Sequence, residues 1–231
     1  DRISFTYGAV NRKALEIECL EVKAGESIGL VGPIGSGKST LLKLASGLYR
    51  PGEGKVFLGD MDLALISPMV VREIIGYLPQ DVRLFSGTLR DNLILGLPDP
   101  GEEVILTAAK RTGLIDLIVG QPQGLSLELT EGGRGVSGGQ KQLIGLTRML
   151  LAKQKIWLLD EPTGSLDSVS EARIVNLIKE LIAEGVTVIV STHKTALLPL
   201  LSRLIVLRDG RVVLDGSRDE VLKKLSAKPK V

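Results

Sequence analysis

The sequence predicts an α/β fold in which a mainly parallel sheet carries an antiparallel β side sheet and an inserted α-helical subdomain. An apolar run at residues 26–31 leads through a glycine-rich loop into a helical pattern, and a second apolar run at 155–161 ends in two acids. Between these strands, residues 81–135 change to helical signals. Buried apolar strands that alternate with helices are typical of parallel sheets.

The length of the chain indicates its domain organisation. A chain of 231 residues is long enough for one well-cored domain. We expect a single domain over residues 1–231, in which residues 1–80 and 151–231 form the core and the side sheet. Residues from about 81 to 150 form the helical subdomain. Because the sequence begins at Asp1 without a methionine, already on a strand-like pattern, we expect it to be a piece of a longer chain.

Composition argues against some classes of partner. The chain is 44% hydrophobic and 24% charged, as ordinary globular proteins are. Its net charge of +2 gives no electrostatic case for a nucleic-acid partner, and the basic residues near its end, Lys228 and Lys230 among them, predict a solvated terminus. No apolar run approaches the roughly 18 residues needed to span a bilayer. The single cysteine, Cys19, cannot form an intrachain disulfide, which fits a reducing compartment, and we expect it to be buried on a strand.

The first elements are two alternating runs, residues 2–7 and 15–22, that predict antiparallel strands of the side sheet. A turn at Gly8 and Asn11 separates them. Tyr7 stands 25 residues before Gly32, where the glycine-rich loop begins. Its ring has two explanations that the pattern leaves equal: stacking on an adenine, or packing as a core tyrosine at a strand end.

The glycine-rich loop fits the pattern G-x-x-x-x-G-K-[ST]. Its glycines let backbone N–H groups approach phosphate oxygens, and the helix that begins in the loop points its positive end at the same phosphates. Lys38 supplies a charge for the β- and γ-phosphates, and the Ser39 hydroxyl suits Mg²⁺. Strand, loop and helix in this order predict a P-loop NTPase core that binds a nucleoside triphosphate. The residues expected to bind it are Gly32, Pro33, Ile34, Gly35, Ser36, Gly37, Lys38, Ser39 and Thr40.

The next elements lead into the helical subdomain. A strand at residues 74–78 is ended by a proline, so that Gln80 stands at the mouth of a loop. Asp99 predicts the N-cap of a helix because a proline and two acids follow it. A shorter helix is expected at residues 115–119.

A second glycine-rich loop covers residues 130–140. It brings Ser137, Gly138, Gly139 and Gln140 to the N-terminus of a helix predicted at 141–152. Amides and a hydroxyl at a helix N-terminus form a second anion-binding device. One chain that binds one nucleotide has no need of two such devices, so the second loop indicates the phosphate of a partner.

Two strands end in side chains that suit nucleotide chemistry. The strand at residues 155–161 ends in Asp160 and Glu161, which extended geometry directs to different sides. Asp160 can therefore face a Mg²⁺ shell while Glu161 faces an attacking water. His193 is the only histidine and follows a strand predicted at 186–192, where parallel sheets place their ligands, which favours a functional role.

The remaining elements complete the sheet and its cover. Residues 168–171 form a capping-box pattern that predicts the start of a helix. An Asp-Gly pair at 209–210 predicts a hairpin between two late strands. Ser217 is expected to cap a last helix.

Together these motifs resemble the nucleotide-binding domain of ABC (ATP-binding cassette) transporters over essentially the whole chain. A P-loop alone is shared by many families, whereas its combination with this second loop and the late histidine is specific. Residues 136–140 correspond to the family signature LSGGQ, with valine replacing the first leucine. In the same way, Tyr7 is similar to the A-loop aromatic, residues 32–40 to the Walker A motif and Gln80 to the Q-loop. Asp160 and Glu161 are similar to the Walker B motif. Residues 165–167 are similar to the D-loop, and His193 to the switch histidine.

Within the family the sequence is similar to exporter cassettes, in particular those of type I secretion and peptide-exporting transporters. The similarity lies in residues 80–92 and in 130–140, where Glu131 matches the acid of the exporter-type X-loop. Pro162 departs from this pattern, because many drug exporters lack this proline and many importers have it. An importer-type cassette is therefore the alternative subclass.

The resemblance implies an assembly of two cassettes. They would pair head to tail around two ATP molecules, as a homodimer when ATP is bound, with Ser137 and Gly139 of one copy binding the γ-phosphate held by Lys38 of the other. Opening and closing of this pair would be passed to a transmembrane domain of the same transporter. The expected place is the cytoplasmic face of a membrane, the inner membrane in a bacterium.

The resemblance also implies an active site. Ser39, Gln80 and Asp160 would order Mg²⁺ and its waters. Glu161 would position or deprotonate the attacking water, and His193 would hold that water and the γ-phosphate in line. The residues expected to carry catalysis are Lys38, Gln80, Glu161 and His193. They would act mostly by positioning and charge neutralisation.

Two other functions compete with a transport ATPase. Soluble ABC ATPases of DNA repair separate the Walker motifs by a long coiled coil, and those of translation carry two cassettes; this sequence has neither feature. Non-hydrolysing nucleotide sensors usually lose the Walker B glutamate or the switch histidine, and both Glu161 and His193 are present.

Overall fold

In the computed structural model, the structure describes residues 2–8 and 13–227. Along these residues the strands are β1 (Ile3–Thr6), β2 (Lys13–Ile17), β3 (Ser27–Val31), β4 (Phe57–Leu58), β5 (Met61–Asp62), β6 (Ile75–Leu78), β7 (Gly87–Thr88), β8 (Glu128–Leu129), β9 (Ile156–Asp160), β10 (Thr187–Ser191), β11 (Arg203–Arg208) and β12 (Arg211–Ser217). The helices are α1 (Lys38–Ala45), α2 (Pro68–Ile74), α3 (Leu89–Leu93), α4 (Glu102–Thr112), α5 (Ile115–Gly120), α6 (Gly138–Ala152), α7 (Ser168–Ala183) and α8 (Arg218–Ser226), with short 3₁₀ turns at Leu63–Leu65, Gly124–Ser126 and Thr195–Leu200.

A six-stranded sheet with the order β12-β11-β3-β10-β9-β6 forms the centre of the fold. The strands from β11 to β6 pair in parallel, and β12 pairs with β11 in antiparallel fashion through the Asp-Gly turn. β1 and β2 form a separate antiparallel pair. The predicted class, a mainly parallel sheet with an antiparallel side sheet and helices, is confirmed.

The central strands are buried on both faces, which explains why their sequences read as continuous apolar runs. On one face Leu158 and Ile189 pack in a cluster with Leu42 and Leu44 of α1. On the other face Trp157, only 1% exposed, packs in a cluster that continues into the inserted helices. The helical segment therefore shares its core with the sheet.

Helix α6 joins the inserted helices to the sheet. Gly145 lies in this helix where a Cβ would sit 2.6 Å from Leu78 Cδ1 and 3.0 Å from Val82 Cγ2. Its lack of a side chain lets α6 approach β6 closely. On another side of α6, Thr147 Oγ1 bonds to Thr112 Oγ1 of α4 at 2.8 Å.

The structure differs from two expectations about the second alternating run. The second alternating run was expected to reach residue 22, but β2 ends at Ile17 because Ile3, the first residue of β1, is its last partner. Cys19 therefore lies beyond the strand and is exposed, so the expectation of a buried cysteine is wrong. Asn11 and the basic terminus at Lys228 and Lys230 lie outside the described residues.

Three helix starts differ from the predictions. α4 begins at Glu102 with Gly101 as N-cap, because Asp99 turns to bind the Gly101 amide at 2.9 Å and the Arg90 guanidinium. α6 begins at Gly138, three residues before its predicted start.

The third difference concerns α7, whose N-cap is Asp167 rather than the predicted Ser168. The Asp167 carboxylate accepts bonds from the amides of Val169 and Ser170, each at 2.9 Å. These bonds lower the pKa of Asp167.

Short elements escaped prediction altogether. α2 begins with a proline at the first position after Ser67, a start signal present in the sequence. The β7–β8 pair has two residues in each strand, too few for a periodic pattern. No helix in the described ranges is both long and apolar enough to span a membrane.

Substitution of Gly145 tests the close approach of α6 to β6. Gly145→Val places a branched side chain against Leu78 and Val82, and we expect overpacking to lower the free energy of unfolding by about 2 kcal/mol. The matched control is Gly120→Val at the end of α5, where a Cβ meets no atom within 4 Å. We expect a change within about 0.5 kcal/mol there. Urea unfolding of both variants measures the difference, and equal losses would contradict the packing argument.

Candidate functional site

The glycine-rich loop leaves the carboxyl end of β3 and closes against neighbouring strands. Gly32 has φ 147° and Gly37, the N-cap of α1, has φ 104°, both in the region that favours glycine. A Cβ on Gly32 would lie 2.1 Å from the Leu207 carbonyl oxygen, and one on Gly37 would lie 2.9 Å from Leu15 Cδ1. The loop is therefore held against β11 and β2 in a conformation that only glycine permits.

The side chain of Lys38 folds back over this loop. Its Nζ donates to the carbonyl oxygens of Gly32 at 2.8 Å and Pro33 at 3.0 Å. Burial lowers the pKa of Lys38, and the charges of Glu161 and Asp160 oppose this effect. The lysine thus lies within the electrostatic field of both predicted carboxylates.

The two carboxylates occupy different environments at the end of β9. Asp160 is the last strand residue and is 3% exposed, paired in register with Ser191 of β10. Glu161 follows with φ 51°, which turns its side chain out of the strand direction. The expectation that both acids stand on one extended strand is therefore wrong, because the strand ends at Asp160 and Glu161 adopts a left-handed conformation.

Glu161 meets the predicted histidine. Its Oε1 lies 2.9 Å from Nδ1 of His193, whose side chain is 75% exposed. Its Oε2 is buried and has no hydrogen-bond partner within the residues that the structure describes. A carboxylate oxygen that is buried yet unpaired costs free energy, so this atom is available to a water or ligand.

Other unpaired groups lie nearby. Along the described chain, four side chains carry a buried polar atom without a partner, and three of them, Tyr77, Glu161 and Ser191, lie at or near the carboxyl ends of β6, β9 and β10. Burial and the charge of Asp160 raise the pKa of Tyr77. Because buried polar groups normally have partners, this cluster fits a site that receives polar ligand atoms or ordered water.

Tyr7 stands beside the start of α1. Its hydroxyl is 2.9 Å from Thr40 Oγ1, and its ring meets Phe5 and Tyr49 edge-on at centroid distances of 4.9 and 5.9 Å. The residue remains 39% exposed. The tyrosine therefore presents an anchored, accessible ring next to the P-loop helix.

Gln80 is exposed two residues after β6, and the segment that follows it is tied to α6. Arg148 of α6 donates to the Arg83 carbonyl at 3.1 Å and to Asn92 Oδ1 at 2.9 Å. The Gly132 amide bonds to the Leu84 carbonyl at 3.1 Å. The predicted Q-loop region is thus attached to the second glycine-rich loop and its helix.

The second glycine-rich loop presents the N-terminus of α6. Ser137 is the N-cap, and its hydroxyl and amide exchange hydrogen bonds with Gln140 at 3.1 and 2.9 Å. Ser137 and Gly138 are exposed. A Cβ on Gly139 would lie 2.9 Å from the Ser165 carbonyl oxygen, so the loop packs tightly on the segment before α7.

The second glycine-rich loop lines a cavity to which the first loop does not contribute. No hydrogen bond within residues 2–8 and 13–227 joins 137–140 to 32–40. A cavity of about 540 Å³ instead lies between Ser137, the loop before α7 and the turn between α4 and α5. The second loop faces this surface rather than completing the P-loop site.

Several polar residues that contact the segment after β9 were not predicted to belong to the site. Gln142 of α6 bonds to the Glu161 carbonyl, and Lys194 bonds to the Thr163 carbonyl at 3.0 Å and to Glu171 at 3.1 Å. Gln142 is a polar residue within the apolar stripe of a helix, which was a detectable signal. Lys194 and Glu171 are distant in sequence and had none.

The residues predicted to hold Mg²⁺ have suitable chemistry. In the described part of the chain no group of three or more His, Cys, Asp and Glu residues could hold a metal. Mg²⁺ bound with a nucleotide usually takes one or two carboxylates and completes its shell with phosphate oxygens and water. Asp160 as a single buried carboxylate, with the hydroxyl of Ser39 on α1, fits that donor set.

Comparison with known proteins identifies the family. The profile of the family described as ABC transporter matches residues 17–164. The glutathione/L-cysteine transport system ATP-binding/permease protein CydC of Escherichia coli (strain K12) is 37% identical over 95% of this chain and 38% of its own length. The mesentericin-Y105 transport/processing ATP-binding protein MesD of Leuconostoc mesenteroides is 37% identical over 96% of this chain and 30% of its own.

A solved structure agrees with these relatives. A bacterial Atm1-family ABC exporter with ATP bound superposes with a TM-score of 0.90 and 31% identity, over 97% of this chain and 39% of that one. The chain thus spans less than two fifths of the length of each of these proteins. The resemblance to exporter cassettes, including those of peptide transporters, is confirmed. The chain belongs to the ABC transporter family, and it is an ATP-binding domain of that family.

Proposed function

We propose that this domain hydrolyses ATP to power a membrane exporter, through ATP-driven head-to-tail pairing with a second cassette. The observation that carries the hydrolytic part is the state of Glu161: Oε1 lies 2.9 Å from His193 Nδ1, and Oε2 is buried with no hydrogen-bond partner among the described residues. The exporter part rests on the similarity to ATP-binding/permease proteins and to an ABC exporter.

In the proposed reaction the P-loop binds the triphosphate. Backbone amides of the loop and the Lys38 ammonium neutralise the β- and γ-phosphates. Tyr7 stacks on the adenine and Thr40 anchors the tyrosine hydroxyl. Ser39, Gln80 and Asp160 would hold Mg²⁺, which supplies charge neutralisation on the phosphate oxygens.

Hydrolysis then depends on the orientation of one water. Glu161 Oε2 accepts a hydrogen bond or proton from this water, because no residue of the described ranges competes for this oxygen. His193 fixes the carboxylate through Nδ1, and its exposed ring can contact the γ-phosphate. Catalysis consists mainly of positioning and electrostatic stabilisation.

The second glycine-rich loop explains the need for a partner. Ser137 and Gly139 lie on a surface separate from the loop that contains Lys38. In a head-to-tail pair, these residues of one copy bind the γ-phosphate held by the other, so that ATP joins the two chains. A transmembrane domain at the cytoplasmic face of a membrane would receive the resulting motion.

The Glu161→Gln variant tests the catalytic role. The amide removes the base but keeps the side-chain shape, so we expect phosphate release to fall by about 10²-fold or more while ATP binding persists. The ATP-bound variant should accumulate as a dimer in size-exclusion chromatography. Glu103→Gln, an exposed change in the first turn of α4, is the matched control and should hydrolyse ATP normally. Normal turnover by Glu161→Gln would remove Glu161 from catalysis.

Mixing two inactive variants tests the shared site. Lys38→Ala disables the P-loop and Ser137→Glu places a negative charge against the γ-phosphate, so each alone should be inactive. A mixed dimer contains one site with both residues intact and one with neither. Random pairing makes half of the dimers mixed, so we expect up to about a quarter of the wild-type phosphate release. No gain in a sample shown to contain mixed dimers would indicate that each chain works alone.

Tyr7 variants test the stacking role. Base–aromatic stacking is worth about 1–3 kcal/mol, so Tyr7→Ala should raise the KM for ATP roughly tenfold with little change in kcat. Tyr7→Phe keeps the ring and loses only the bond to Thr40, and it should stay near wild type. An unchanged KM in Tyr7→Ala would assign the ring to the core of the strand pair instead.

A further inference from the structure

Gln142 uses both ends of its side chain to bind the loop that contains Glu161. The residue lies one turn into α6 and is 2% exposed. Its Nε2 donates to the Glu161 carbonyl oxygen at 2.9 Å, and its Oε1 accepts from the Ser165 amide at 3.4 Å. One side chain therefore fixes the first and last residues of the segment 161–165.

The peptide that Gln142 binds has an unusual conformation. Glu161 has φ 51°, in a region that non-glycine residues seldom adopt. Its amide donates to the Ser191 carbonyl at 2.9 Å, and its carbonyl also accepts from the Gly164 amide at 3.1 Å. Gln142 is the donor that reaches this carbonyl from outside the loop, so it helps to hold the backbone that aims the Glu161 carboxylate.

The same helix carries the exposed N-cap of the second glycine-rich loop. Ser137 stands one turn before Gln142, and the Gly139 backbone packs against Ser165 and Leu166. A shift of the α6 N-terminus must therefore act on the segment 161–165. Lys194 also holds this segment, because its Nζ donates to the Thr163 carbonyl at 3.0 Å.

We propose that Gln142 is a positioning residue that couples the nucleotide bound by Ser137 to the orientation of Glu161 in the same chain. This inference rests on the proposed function. In a head-to-tail pair, Ser137 touches the ATP of the partner, whereas Glu161 acts on the ATP held by its own chain. Gln142 thereby links the two sites, and occupancy of one improves the geometry of the other.

The Gln142→Met variant removes both hydrogen bonds and keeps length and burial. In the intact protein we expect kcat for ATP to fall about tenfold, with KM changed less than threefold, because the chemical step rather than binding depends on the orientation of Glu161. The Hill coefficient for ATP should fall towards one, because the link between the sites is lost.

Thr147→Val is the matched control. It removes a buried side-chain hydrogen bond of the same helix, to Thr112 of α4 rather than to the loop after β9. We expect its kcat and Hill coefficient to remain those of the wild type. If it lowers both as much as Gln142→Met does, the effect belongs to helix packing and the proposal is wrong.

The Gln142→Glu variant separates the two hydrogen bonds by pH. An ionised carboxylate accepts from the Ser165 amide but cannot donate to the Glu161 carbonyl, whereas the protonated form does both. The kcat of this variant, divided by that of the wild type at the same pH, should rise as pH falls from about 8 to about 6. A ratio that is constant or falls contradicts a role for the donated bond.

Amide exchange gives a readout that does not need activity. Hydrogen–deuterium exchange of the peptide covering 161–166 should be faster in Gln142→Met and unchanged in Thr147→Val. If the wild type releases no phosphate, the proposed function fails, while exchange still decides whether Gln142 holds the loop. If the wild type is active and Gln142→Met matches it in kcat, Hill coefficient and exchange, the proposal for Gln142 is refuted.

Discussion

The parallel pairing of three buried strands is the constraint on which the rest of this structure depends. β3, β10 and β9 lie side by side, so their carboxyl ends open at one edge of the sheet. The P-loop follows β3, His193 comes two residues after β10, and Asp160 and Glu161 lie at and just after the end of β9. Lys38 and Glu161, 123 positions apart in the sequence, interact electrostatically there because the carboxyl ends of neighbouring parallel strands lie at the same edge of a sheet.

Among the described residues, this edge keeps polar side-chain atoms buried without hydrogen-bond partners, which costs free energy in a folded core. Glu161 Oε2, Ser191 Oγ and Tyr77 Oη are such atoms. Ser191 is the register partner of the buried Asp160, whose charge acts on Tyr77, and Lys38 donates to the Gly32 and Pro33 carbonyls of its own loop. Packing in the rest of the fold therefore offsets the free-energy cost of these unpaired groups. A polar ligand that bonds to them would recover this cost as binding free energy.

Helix α6 connects the second glycine-rich loop to the segment after β9 and to the segment after Gln80. Its first residue follows the capping serine, its second turn carries Gln142, and Arg148 further along binds the segment after Gln80. Gly145 lets the whole helix pack closely on β6. We propose α6 as the route from the second glycine-rich loop to Glu161, because a helix with contacts along its length transmits displacement better than a loop.

The sequence by itself determined the class of the fold and the local devices. The P-loop, the acids after β9 and the histidine after β10 are local patterns, since each needs only a strand and the few residues behind it. Predictions from local patterns failed where other contacts decide the outcome. They extended β2 beyond its pairing with β1, placed Cys19 in the core, and assigned the N-cap of α7 to Ser168 rather than Asp167. Competing side chains and strand partners decide such boundaries.

Only the tertiary structure decided which side chains and backbone groups of these motifs contact one another. Three hydrogen bonds join residues 19 to 32 positions apart in the chain. They are the bonds of His193 to Glu161, of Gln142 to the Glu161 carbonyl and of Lys194 to the Thr163 carbonyl. The sequence could show that Gln142 interrupts an apolar stripe, but not what it binds. Its partner is set by the packing of α6 against the end of β9, because hydrogen bonds between distant residues depend on how the elements pack.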